Sequence, residues 1–294
     1  MTFLTALSQP RKLILDGATG TELNRRGVYT GLPLWSANAL MNDRDSKILQ
    51  QIHEDYLRAG ADIVTTNTFR THRRALAPSG NADRALELTR RAVDIARAAI
   101  ASFKSDSPKF IAGSISTLED CYRPDLVPSD DELRVEHSER IRHIVECGVD
   151  FILVETINTI REAVIITELA IATGMPVVVS FVCDREGKIL SGETLTEAAS
   201  QLLPLGISAI GVNCGPTPNL AKPLAELQSA CGKDFPLIAY GNIGYADEEV
   251  GWVNTDSENP NAYCEHASHW PAKIIGGCCG TTPEHITQLK SVLK

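Results

Sequence analysis

The chain has 294 residues, 43% of them hydrophobic and 22% charged, with a net charge of −9. That length and apolar content suffice for a large buried core. The acidic balance argues against a broad electrostatic grip on nucleic acid or an anionic membrane, and no apolar run approaches the roughly 20 residues that span a bilayer. The N-terminal MTFLTALSQPRKLIL has no charged segment leading into a long apolar stretch, so the expectation is a cytoplasmic protein without a signal peptide.

Apolar runs and amphipathic stretches alternate along the chain. KLILDGA (12–18) reads as a strand, followed by a helical pattern at 46–59. ADIVTTNTF (61–69) precedes a helix over 82–103, and KFIAGSIS (109–116) precedes one over 130–147 capped by Ser129 or Asp130. DFILVETI (150–157) and a helix at 159–173 come next, then PVVVSFVC (176–183) and a helix at 194–204 that Thr194 and Glu197 open with capping-box spacing. AIGVNCG (209–215) leads into a helix at 218–230, and PLIAYGNIG (236–244) into a polar stretch, 245–259, with a short helix at 260–270. KIIGGCCG (273–280) is the last strand, and Thr282-Pro283 opens the last helix, 283–293.

The strands are rich in Ile, Val, Leu and Phe with little polar alternation, as strands buried on both faces are. Eight strand–helix pairs in this length predict an α/β fold, a TIM barrel of eight β/α units, as a single domain over 1–294. A doubly wound sheet is the alternative, but DGATGT (16–21) lacks the glycine order of a dinucleotide-binding turn.

Barrel chemistry collects at the C-terminal strand ends. Those ends are Asp16-Gly17, Thr66 to Phe69, Glu155-Thr156, Asn213-Cys214-Gly215, Gly241-Asn242 and Cys278-Cys279. Three of the eight cysteines thus fall at one end of the barrel. Cys214, Cys278 and Cys279 can supply three thiolates to Zn²⁺ and leave the fourth position to a substrate. The adjacent pair converges only if the backbone turns sharply, a freedom expected of Gly276, Gly277 and Gly280. On spacing alone, inert burial and a strained vicinal disulfide stay open for the pair. Cys147, Cys183 and Cys231 read as small buried hydrophobes, while Cys121 and Cys264 fall in segments without a clear pattern.

Asp16 and Glu155 end apolar strands on the face that holds the cysteines, which suits a substrate ammonium, although a turn aspartate and a solvated glutamate are the plain readings. DGATGT offers backbone N–H groups to a carboxylate. Asp16, Gly17, Thr68 and Glu155 are therefore the substrate-binding candidates. Ammonium, carboxylate and a thiol-binding metal together describe an amino acid that carries a thiol. His266 and His269 lie three apart, a spacing more usual on a surface helix than at a metal, and the acidic run at 247–258 reads as a solvated loop or one that overhangs the site.

DGATGTEL (16–23), GADIVTTNTF (60–69), VDFILVET (149–156), GVNCG (211–215) and IIGGCCGTTPEHI (274–286) together resemble the homocysteine S-methyltransferase family, over nearly the whole chain. The resemblance implies a β/α barrel with zinc held by Cys214, Cys278 and Cys279, the acids Asp16 and Glu155 on the homocysteine amino group, and backbone of the first strand's loop on its carboxylate. It also implies methylation of homocysteine to methionine. A sulfonium donor, S-methylmethionine or S-adenosylmethionine, is expected because it needs no second protein. The alternatives are betaine, a separate methyl-corrinoid protein, a related thiol or selenol acceptor, or a non-enzymatic barrel whose zinc is closed by His266 or Cys264. GSISTLEDCYRPDLVP (113–128) and YGNIG (240–244) depart from the family pattern on the donor side. The expected partners are small molecules only, and the expected assembly is a monomer or weak dimer.

Overall fold

The computed structural model describes residues 1–105, 107–247 and 251–293. Its strands are β1 (Leu13–Ile14), β2 (Ile63–Thr65), β3 (Phe110–Ile115), β4 (Phe151–Ile157), β5 (Val177–Phe181), β6 (Ala209–Pro216), β7 (Leu237–Asn242), β8 (Gly244–Asp247), β9 (Gly251–Asn254) and β10 (Ile274–Gly277). Eight of them form one parallel sheet in the order β1-β10-β7-β6-β5-β4-β3-β2, and β8 and β9 pair separately as an antiparallel hairpin. A parallel bridge between Leu15 and Ile63 joins the two end strands, and the Asp16 N–H donates to the Ile63 carbonyl across the same seam at 3.0 Å. The sheet is thereby a TIM barrel, as the strand–helix alternation predicts.

The helices are α1 (Phe3–Leu7), α2 (Gly20–Arg25), α3 (Asp43–Ala59), α4 (Arg73–Leu76), α5 (Ala85–Ser102), α6 (Asp130–Cys147), α7 (Ile160–Ile171), α8 (Leu195–Leu202), α9 (Ala221–Cys231), α10 (Pro260–Ser268) and α11 (Pro283–Val292). Local chemistry sets their ends. Ser129 and Glu132 form a capping box at the start of α6, Thr194 and Glu197 one at the start of α8, and Gly60 ends α3 in the left-handed region. Every residue of β3, β4 and β5 is buried, because helices cover one face and the barrel interior the other.

Inside the barrel, Leu13, Ile63, Phe110, Phe151, Val178 and Ile274 belong to one apolar cluster near the N-terminal strand ends. Helix α1 plugs that end: Phe3 stacks on Phe151 with ring centroids 3.9 Å apart and meets Phe110 edge-on. Five residues are too few to show helical periodicity, which is why the sequence pattern misses α1.

Two expectations change. The first two strands are shorter than their apolar runs, since the chain leaves the sheet at Asp16 and again after Thr65, where the site begins. The stretch at 245–259 is not a plain loop: it holds most of the β8–β9 hairpin and a short 3-10 turn, Asp256–Glu258. Glu248 and Glu249 of the acidic run lie outside the described residues. No helix among the described residues is long and apolar enough to cross a membrane.

Candidate active site

A cavity of about 920 Å³ opens at the C-terminal ends of the barrel strands. Asp16, Gly17, Glu155, Cys214, Cys278 and Cys279 all line it. Thr68 is not among its lining residues. Its hydroxyl donates to the Ser114 carbonyl at 2.7 Å and sits 2.9 Å from the Thr66 hydroxyl, so it ties the end of β2 to β3.

The thiol corner is built from the backbone outward. After β10, Cys278 and Cys279 lead into Gly280, whose φ of +85° makes the turn that a side chain would resist. Gly276 and Gly277 serve differently from the expectation: both lie within β10, and a Cβ on Gly276 would stand 2.6 Å from Leu15 Cβ and 2.8 Å from the Asp16 carbonyl oxygen. Gly276 allows close approach of the Leu15 and Asp16 backbone and Gly277 that of the Thr281 side chain, rather than a bend. The corner is clamped by the Thr21 hydroxyl, which accepts the Gly280 N–H at 3.0 Å, and by Arg25, which donates to the Gly280 carbonyl at 2.5 Å.

Cys214 arrives from the end of β6 with φ +57°, and Thr156, beside it at the end of β4, also has φ +57°. Left-handed backbone at such residues costs on the order of 1–3 kcal/mol each. Asn213 couples the two: its Oδ1 accepts the Thr156 N–H at 3.0 Å and its Nδ2 donates to the Thr156 hydroxyl at 2.8 Å. Asn242 then donates to the Cys214 carbonyl at 2.8 Å. Local strain, held by side-chain amides, brings the third sulfur to the other two.

The Sγ atoms of Cys214, Cys278 and Cys279 lie within 4.8 Å of one another, and Cys214 and Cys279 are 3.9 Å apart. Among the described residues this is the one group of three or more potential ligands that converges, and no fourth histidine, cysteine or carboxylate joins it. Hydrogen bonding from Cys278 and Cys279 holds the Cys214 thiol well below its usual value, while Cys278 and Cys279 are pushed up. His266 instead faces Asp256 at 3.3 Å, His269 bonds the Glu265 carbonyl, and Cys264 is buried against the His285 carbonyl.

Across the cavity sit the two acids. Asp16 accepts from the Thr65 N–H at 2.8 Å and the Thr65 hydroxyl at 2.7 Å. Glu155 accepts from the Ser114 hydroxyl at 2.5 Å and the Tyr240 hydroxyl at 3.0 Å. None of these partners is a cation, so burial dominates: it pushes Asp16 up to about 8 and Glu155 up to about 7. Thr65, Ser114 and Tyr240 were not singled out from the sequence. Their signal was there, as a polar group inside each of three otherwise apolar runs. A further residue, Tyr122, comes from the loop after β3 and places its hydroxyl 3.1 Å from Cys214 Sγ.

At the C-terminal mouth of this TIM barrel, three thiols converge as a group that can hold a metal ion, and two buried acids without a hydrogen-bonded cation line the same cavity. The homocysteine S-methyltransferase family profile matches residues 13–293, and the chain belongs to that family and is a methyltransferase. It is 33% identical to homocysteine S-methyltransferase YbgG of Bacillus subtilis, over 94% of this chain and 93% of that one. It is 28% identical to the homocysteine S-methyltransferase of Escherichia coli, over 95% and 94%. Among solved structures, the metallated form of the homocysteine methyltransferase MmuM from Escherichia coli superposes with a TM-score of 0.84 at 27% identity, covering 98% of each chain.

Proposed function

We propose that the protein transfers a methyl group from a sulfonium donor to the thiol of homocysteine, giving methionine, with zinc held by Cys214, Cys278 and Cys279 and residues 1–294 acting as one homocysteine-binding barrel. The carrying observation is the meeting, in one cavity, of three sulfurs within 4.8 Å with two buried acids that lack a cation. A tetrahedral site with Zn–S bonds of about 2.3 Å has an S···S edge of about 3.8 Å, and the Cys214–Cys279 separation is 3.9 Å. Zinc at these thiolates would keep the substrate thiol deprotonated at neutral pH.

The remaining work belongs to the chain's own groups. Asp16 and Glu155 hold the substrate ammonium, each already aimed by two hydroxyl or amide donors. Backbone from Gly17 to Thr21 lines the cavity and receives the carboxylate. Fixing the amino acid at both ends aims its sulfur, and positioning of this kind can be worth ~7–11 kcal/mol. No side-chain base is assigned, since the nucleophile needs no proton removed during the transfer.

The cavity is also lined by Trp35, Tyr245 and Trp252, by Asp120 and Asp184, and by Arg70 and Arg185, and the Arg185 guanidinium lies 5.3 Å over the Tyr245 ring. The Trp35 and Trp252 faces and the two carboxylates suit a cation such as a sulfonium, which also needs no second protein to deliver the methyl group. The test is a donor screen with purified zinc-loaded protein and homocysteine, scored for methionine. Turnover with S-methylmethionine or S-adenosylmethionine is expected. Turnover with betaine alone, or solely with a methylated corrinoid protein, would replace the donor assignment.

A further inference from the structure

The methyl-transfer reading, on which this inference rests, sets a selectivity problem. Three protein sulfurs and one substrate sulfur lie close together, and each must stay a thiolate to work. In the productive step the donor's carbon–sulfur bond breaks, its electron pair leaves with a neutral thioether, and the methyl carbon bonds the substrate sulfur. In the side reaction the same carbon bonds Cys214 Sγ instead, leaving an uncharged thioether where a ligand stood.

Cys214 is the sulfur that comes from β6 rather than from the turn after β10. Tyr122 reaches it from the loop after β3. Its ring is not held by core packing, for the residue is 52% exposed, yet its hydroxyl lies 3.1 Å from Cys214 Sγ. The loop is braced to keep it there: Asp120 accepts the Tyr122 N–H at 2.9 Å through Oδ1, and its carbonyl accepts from Arg123 N–H at 2.9 Å and Asn158 Nδ2 at 3.3 Å. Tyr122 and Cys214 both line the cavity.

We propose that Tyr122 shields Cys214 from methylation and so steers the methyl group to the substrate sulfur. The phenol O–H donates to the thiolate, withdrawing electron density from the sulfur that would otherwise compete. The hydroxyl stands at hydrogen-bond distance from the one thiol of the three that is buried, with both residues lining the cavity. Cys278 and Cys279, held in the glycine corner, are shaped by backbone rather than by this contact. The sequence feature behind the proposal is the departure at 113–128, which carries Tyr122.

The test is alkylation of zinc-loaded protein with limiting iodoacetamide, mapped by peptide mass spectrometry, for wild type and Tyr122→Phe. Phenylalanine keeps the ring and removes the donor at a half-exposed position, so folding should survive; zinc content is measured on both proteins. The labelling rate of Cys214 relative to Cys278 should rise about tenfold in Y122F, the factor expected from one hydrogen bond to a charged group. An unchanged ratio at equal zinc content would overturn the proposal, as would equal acceleration at all three cysteines. Tyr122→Ala, which removes the same donor, should raise the ratio at least as far, and no rise there would also overturn the proposal. If wild type holds no zinc and makes no methionine, the functional reading fails by itself, while the alkylation ratio still reports the contact.

Discussion

Asp16 and Asp62 are each 2% exposed, and they flank the same seam between β1 and β2, yet they are opposite in character. Asp62 precedes β2. Burial pushes its carboxyl up, but the hydrogen bond from Arg11 at 2.8 Å and the charge of Lys109 at 3.3 Å outweigh that and hold it below its usual value. Asp16 follows β1, has only Thr65 donors, and is pushed up to about 8. The first carboxylate is complete within the fold. The second lacks a cation, and in this account the substrate's ammonium brings it.

The sharpest way to break this contrast is to remove each carboxylate in turn. Asp62→Asn strands Lys109, whose side chain is only 5% exposed. Unfolding stability should fall by about 3–5 kcal/mol, read from urea denaturation midpoints, while the KM for homocysteine of the folded fraction stays within about twofold. Asp16→Asn should do the reverse. Losing one charge-assisted contact costs about 1.5–3 kcal/mol, so the KM should rise roughly 10- to 100-fold, with unfolding stability unchanged or higher. If Asp16→Asn unfolds the protein and Asp62→Asn spares it, the assignment of roles is inverted.

A smaller effect follows from pH. Carboxyls whose values sit near 8 and 7 are largely protonated at pH 6 and ionised at pH 8.5. An ammonium binds the ionised form, so affinity should rise with pH over that window. Norleucine, which has no sulfur, isolates the acids from the thiols; calorimetry should find it bound at least about tenfold more weakly at pH 6 than at pH 8.5, the factor that ionisation of Glu155 alone supplies. For the unliganded protein the sign is opposite. Raised carboxyl values mean that the folded state holds extra protons, so the stability these two acids contribute is present below about pH 4 and is lost as pH rises toward 8. A norleucine affinity flat across this range would remove Asp16 and Glu155 as the ammonium site.

The same pair shows what the sequence made legible. Asp16 stands after an apolar run and before a glycine, which marks the C-terminal end of a barrel strand; Asp62 is the second residue of its run, at the other end. Order along the chain alone puts the two carboxylates at opposite ends of the barrel strands. The cysteines were legible for a related reason, since strand ends from β6 and β10 meet in a closed barrel however far apart they lie in sequence. Thr68 lies apart from the cavity lining because its run ends as a ladder at Thr65, four residues before the run read from the sequence ends, and its hydroxyl bonds the Ser114 carbonyl. Tyr122 escaped because a loop residue has no periodicity, and its partner lies 92 positions away. The β8–β9 hairpin escaped because its strands, four residues each, are too short for alternation to register.

The central claim is that Cys214, Cys278 and Cys279 hold a metal whose remaining position takes the substrate's sulfur. X-ray absorption at the zinc edge, on loaded protein with and without homocysteine, addresses it directly. The account predicts three sulfur scatterers at about 2.3 Å without homocysteine and four with it. A sulfur count that does not change on adding homocysteine, or a zinc environment dominated by nitrogen and oxygen, would contradict it.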